Sequence, residues 1–132
     1  MNLFTDLGRI GDALGARGWG CTVYELAAGD ASPYHWHVGE EEMLLVLAGA
    51  PTLRTPDGEH VLEPWDLAHF PRGEVGAHQI RNDTKDPVRA AFFSTASDPE
   101  VVVYPDDGKT GVIAGWTRDD ARTIRGWVEE PT

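Results

Sequence analysis

The sequence predicts an all-β domain, a sandwich or barrel built from short strands. Roughly nine runs of alternating, β-branched or aromatic residues recur at near-regular spacing. In addition, 15 Gly and 9 Pro divide the 132 residues into pieces too short for long helices. A turn sequence, "TPDG" at 55–58, stands between two such runs, where Pro56 presets its own φ and Asp57-Gly58 tolerates positive φ.

Taken in order, the first 18 residues hold Gly8, Gly11, Gly15 and Gly18, which leave at most one short turn at 12–17. Strands are expected at 21–27, 34–38, 42–48, 52–55, 59–63, 67–70, 77–82, 88–95 and 100–104. "EPWD", "PRGEVG" and "NDTKDP" punctuate them. Near the end, "TRDDARTIRGW" carries helix signals. Thr117 is an N-cap, Asp119 and Asp120 suit the first turn, Arg122 and Arg125 the last, and Gly126 the C′ position. The segment "YPDDGK" at 104–109 is a turn or a flap, and the turn is preferred.

The strand at 42–48 is apolar on both faces: Leu44, Val46 and Ala48 follow Glu42 on one, and Met43, Leu45 and Leu47 form the other. Burial on both sides is therefore expected. One side would face an interior and the other a packed sheet or a second copy, so a homodimer is expected.

Composition narrows the partners. The length suits one domain, and hydrophobic and charged fractions of 41% and 25% are ordinary for a globular chain. A formal net charge of −11 argues against nucleic acid and against anionic membranes. Cys21 is the only cysteine, so no intramolecular disulfide forms. No basic segment precedes an apolar run at the N-terminus, and no run approaches a membrane span. A cytoplasmic protein is expected.

The chemistry-bearing stretch is "PYHWHVGEEEMLLVLAG", residues 33–49. On an extended strand His35 and His37 project together while Trp36 points the other way. Two imidazoles beside carboxylates suit a mixed nitrogen and oxygen metal site. They equally suit a polar turn ahead of a core strand, and the pair alone does not decide.

The spacing extends further. Gly29, His35, His37, Glu42 and Gly49 follow Gly-x5-His-x-His-x4-Glu-x6-Gly, and Pro71, Gly73, His78 and Asn82 come later. Here the sequence resembles the cupin superfamily, over about residues 20–95, and within it the small single-domain bacterial members. The second motif is looser: four residues rather than two separate Gly73 from His78, and Trp65 stands where many cupins have glycine. The resemblance implies a double-stranded β-helix, or jelly-roll barrel, in a single domain of residues 1–132. The barrel core would span about 20–104, and 105–132 would be a C-terminal extension with a short helix.

It also implies four metal ligands, His35, His37, Glu42 and His78, holding one divalent transition metal ion (Fe, Mn, Ni, Co, Cu or Zn). Spacing selects Glu42 and parity supports it, since it shares a face with Leu44 and Val46; Glu40 shares that parity but lies in the loop, and Glu41 points away. His60 is expected in solvent, His69 on the outer face, and Asn82 capping a turn. Trp36 would pack in a core or interface, and Trp116 and Trp127 would dock the terminal helix. The implied function is a metal-dependent enzyme on a small oxygenated organic substrate, with a dioxygenase leading. The alternatives are a non-redox isomerase, cyclase or lyase, or a non-catalytic small-molecule binder.

Overall fold

The computed structural model describes residues 5–9, 14–114 and 124–129. Among these run twelve strands: β1 Thr5–Arg9, β2 Trp19–Leu26, β3 Trp36–His37, β4 Glu42–Ala48, β5 Thr52–Thr55, β6 Gly58–Val61, β7 Leu67–Phe70, β8 Gln79–Arg81, β9 Val88–Thr95, β10 Glu100–Tyr104, β11 Lys109–Ala114 and β12 Ile124–Glu129. A 3-10 turn, Glu74–Gly76, follows β7. The pairings are antiparallel, in sheets ordered β1-β2-β9-β4-β7, β12-β11-β10-β3 and β6-β5-β8.

The alternation in the sequence explains the core. Leu44 and Val46 on β4 are fully buried, as are Val88 and Ala90 on β9. Leu44, Val88 and Ala90 close one apolar cluster with Leu26, Leu53, Phe70 and Ile80, against which Tyr24, Leu62, Ala68 and Phe92 pack. Truncating a residue so placed, Leu44→Ala for instance, costs about 2–5 kcal/mol. The hairpin turn at 55–58 forms as expected, with Gly58 at φ 120 joining β5 to β6.

Three expectations change, while the preferred turn at 104–109 forms. The described residues leave the outer face of β4 partly uncovered: Met43 is 41% exposed, and Leu45 and Leu47 are half-buried. The N-terminal segment supplies β1, which pairs with β2 through an irregularity between Asp6 and Gly8. A glycine is tolerated there because a bulge relaxes the ladder. The segment at 104–109 is a turn, Tyr104 pairing with Lys109 across the β10–β11 hairpin. The end of the expected C-terminal helix is strand instead. Ile124, Arg125 and Gly126 belong to β12, paired along β11, and the remainder of the expected helix, with Trp116, lies outside the described residues. Among the described residues no helix is long and apolar enough to cross a membrane.

Candidate metal centre

Backbone register brings the two histidine-bearing segments together. His35 N–H donates to His78 O at 3.1 Å and His78 N–H to His35 O at 2.9 Å. This isolated antiparallel bridge sends both side chains to one face. His37, two residues on, faces the same way and pairs with Val102 of β10. Glu42 opens β4 between Phe70 of β7 and Ser94 of β9. The longer spacing before His78 is taken up by the 3-10 turn, entered through Gly73 at φ 90. Gly76 closes that turn where only hydrogen fits, since a Cβ there would lie 1.8 Å from the Pro71 carbonyl oxygen.

The three imidazoles converge on one carboxylate oxygen. His35 Nε2 and His78 Nε2 lie 3.9 Å and 3.8 Å from Glu42 Oε1, and His37 Nε2 lies against the same oxygen. Two of the rings are aimed by their other nitrogen: His35 Nδ1 contacts Pro33 O at 2.8 Å and His78 Nδ1 contacts Gly76 O at 2.9 Å. A carbonyl only accepts, so each Nδ1 carries the hydrogen and each Nε2 presents a lone pair. Phe70 backs the His78 ring at 3.8 Å between centroids, joining the site to the core.

Such a cluster is costly without a cation. His37 Nε2, His78 Nε2 and Glu42 Oε1 are buried without hydrogen-bond partners among the described residues. Burial, then the neighbouring His78 and His37, depresses His35 to about 4. Burial also lowers His78. Burial would lower His37 too, but the Glu42 contact and the Glu40 and Glu100 charges raise it. Burial would raise Glu42, yet the three imidazoles hold it below the ordinary carboxylate range. Three imidazoles and an ionised carboxylate converging on one point are the donor set a divalent transition metal takes. The residues fit such an ion.

Two inward residues escaped the sequence analysis. Strand β10 alternates Glu100, Val102 and Tyr104 toward the site, a period of two that its opening glutamate and closing tyrosine could have disclosed. The Tyr104 ring sits 5.8 Å from the His35 ring, and burial, then the Glu42 and Asp107 charges, raises its hydroxyl above the ordinary value. Glu100 is 1% exposed and accepts from Gly39 N at 2.9 Å and Val101 N at 2.6 Å.

The other expected bystanders fall outside the cluster. His69 contacts Glu41 on the outer face, and His60 is exposed. Asn82 is buried in its turn, donating to Leu26 O and Asp86 O and accepting from Thr84 N. Trp36 is half-buried, and Trp127 packs on Tyr104 from β12 rather than from a helix.

A family model described as the cupin domain matches residues 22–94. The chain belongs to the cupin family. Among curated proteins none matches it. Among solved structures, this cupin is similar to a sugar phosphate isomerase of the cupin superfamily from Silicibacter pomeroyi, with 28% identity and a TM-score of 0.82. That match covers 93% of this chain and 75% of the other. A candidate sugar phosphate isomerase from Acidithiobacillus ferrooxidans matches with 28% identity and a TM-score of 0.82, covering 96% and 76%. A polyketide cyclase from Streptomyces resistomycificus, at 23% identity and a TM-score of 0.59 over 71% of this chain and 64% of its own, shares the fold.

Proposed function

We propose that this cupin is a metal-dependent isomerase acting on a small polyhydroxylated carbonyl compound of the sugar phosphate class. The observation that carries it is the convergence of His35, His37 and His78 on Glu42, in a chain that aligns almost end to end with two proteins of that description. These four side chains would hold the ion. Bound there, a divalent metal acts as a Lewis acid on substrate oxygens.

The rest is the chain's own. Tyr104 stands beside His35 on the inward row of β10 and retains its proton, so its hydroxyl donates to a substrate oxygen. The proposal includes a homodimer formed through the outer face of β4.

The dioxygenase expectation draws on the donor set alone, whereas the isomerase draws on the donor set and the two structural likenesses. Metal-loaded protein incubated with aldose and ketose phosphates, followed by NMR, tests the choice. Interconversion dependent on metal is expected. Oxygen consumption with enol substrates in its place would restore the dioxygenase, and ligand-induced thermal stabilisation without product would indicate a binder.

A further inference from the structure

His37 differs from its two companions. The Nδ1 hydrogens of His35 and His78 go to carbonyls two residues upstream. His37 has no such carbonyl. Its Nδ1 is buried with no hydrogen-bond partner among the described residues. An imidazole that ligates through Nε2 must place its Nδ1 hydrogen somewhere, and second-layer acceptors of that kind fix ring orientation.

The acceptor at hand comes from the other end of β10. One ligand-type atom each from His37, Glu40 and Glu100 lies within 4.8 Å of the others. Glu100 is the fixed member of this group. Its Oε1 accepts from the Gly39 and Val101 amides, and its Oε2 is buried with no hydrogen-bond partner among the described residues. Gly39 keeps this arrangement open: a Cβ there would meet Ser97 Oγ at 2.4 Å and Glu100 Oε2 at 3.4 Å. An unpartnered nitrogen of His37 and an unpartnered oxygen of Glu100 thus belong to one cluster, with the half-buried Glu40 beside them.

We propose that Glu100, together with Glu40, is a positioning residue of the metal centre, the carboxyl pair accepting the Nδ1 hydrogen of His37 and so turning Nε2 toward Glu42. Glu100 additionally ties down the loop between the two ligands His37 and Glu42 through the Gly39 amide.

This inference rests on the metal-centre reading, and the test keeps the two apart. Glu100→Gln preserves the oxygen that holds Gly39 and Val101 but replaces the free acceptor with an amide donor, which favours the wrong tautomer of His37. Zinc and cobalt titrations of wild type and variant are compared, with the cobalt visible spectrum as a second readout. Expected is a melting temperature of the metal-free variant near wild type, metal affinity about 10- to 100-fold weaker, and a shifted cobalt spectrum. Wild-type affinity and spectrum in the variant would overturn the inference while leaving the metal centre intact, and no binding in wild type would overturn the metal centre itself. Should the variant not fold, the zinc-loaded wild type decides by NMR. A His37 Nδ1 proton protected from exchange supports the contact, and rapid exchange with water overturns it.

Discussion

A carboxyl pressed against another carboxyl, as Glu40 is against Glu100, keeps its proton well above the ordinary range, here to about 8 rather than 4.5. Burial is the larger cause, followed by the hydrogen bond and charge of Glu100. In metal-free protein the unfolded chain ionises this group near 4.5, while the folded chain holds the proton until about 8. Its contribution to stability is therefore full below the unfolded value and is lost as pH rises through the folded one. Glu40→Gln removes that loss. The melting temperature of the metal-free variant, relative to wild type, should climb between pH 4.5 and about 8 and level off above. A difference that stays flat across that window would show Glu40 ionising freely. At the same scale, parity and motif spacing named the four residues that converge, because a strand makes side-chain direction a matter of counting. Parity sets Glu100 and Tyr104 on one face of their strand, but that this face meets the site was not legible. Their place depends on β10 lying beside β3, a contact between residues more than sixty positions apart.

Among the elements, β4, β5, β7, β9 and β10 fall at the residues the alternation indicates. The missed strands β1, β11 and β12 each contain a glycine, Gly8, Gly111 and Gly126, which counts locally against a strand. In the sheet Gly111 pairs with Trp127, and a Cβ on it would stand 3.2 Å from the indole, so the glycine makes room for the ring. The helix signals before β12 are local, whereas its pairing with β11 is not. A second element-level departure is the turn before β7. Trp65, 74% exposed, adopts φ 76, the left-handed region that glycine occupies without penalty. Its amide holds the turn by donating to Val46 O at 2.7 Å. Since a side chain there costs about 1–2 kcal/mol, Trp65→Gly should stabilise the protein by up to about 1 kcal/mol once the looser unfolded chain is counted. The urea midpoint should rise at unchanged slope, and a fall would mean that indole contacts outweigh the strain.

At the scale of the molecule, one face stays apolar in the single chain. Register aligns Leu67, Leu45, Ala91 and Val23 in one row across β7, β4, β9 and β2, and His69, Met43, Phe93 and Cys21 in the next. Leu67 is 63% exposed, and Trp19 stacks on Phe93 at the margin. An apolar sheet face of this kind is what a second copy would cover. Light scattering should therefore give a dimer for wild type and a monomer for Met43→Asp combined with Leu67→Asp, with a monomeric wild type contradicting the homodimer. The site sits on the opposite, inward side of the same strand, so the double substitution should leave metal content unchanged. The central claim concerns that inward side, and metal content tests it most directly. Elemental analysis of protein purified without added metal, and again after loading, should find one transition-metal ion per chain. His78→Ala and Glu42→Gln should lose it, whereas Glu41→Gln, whose side chain meets His69 on the outer face, should keep it. Protein that takes up no metal, or that keeps it equally well without His78, would contradict the assignment of these four residues as a metal centre.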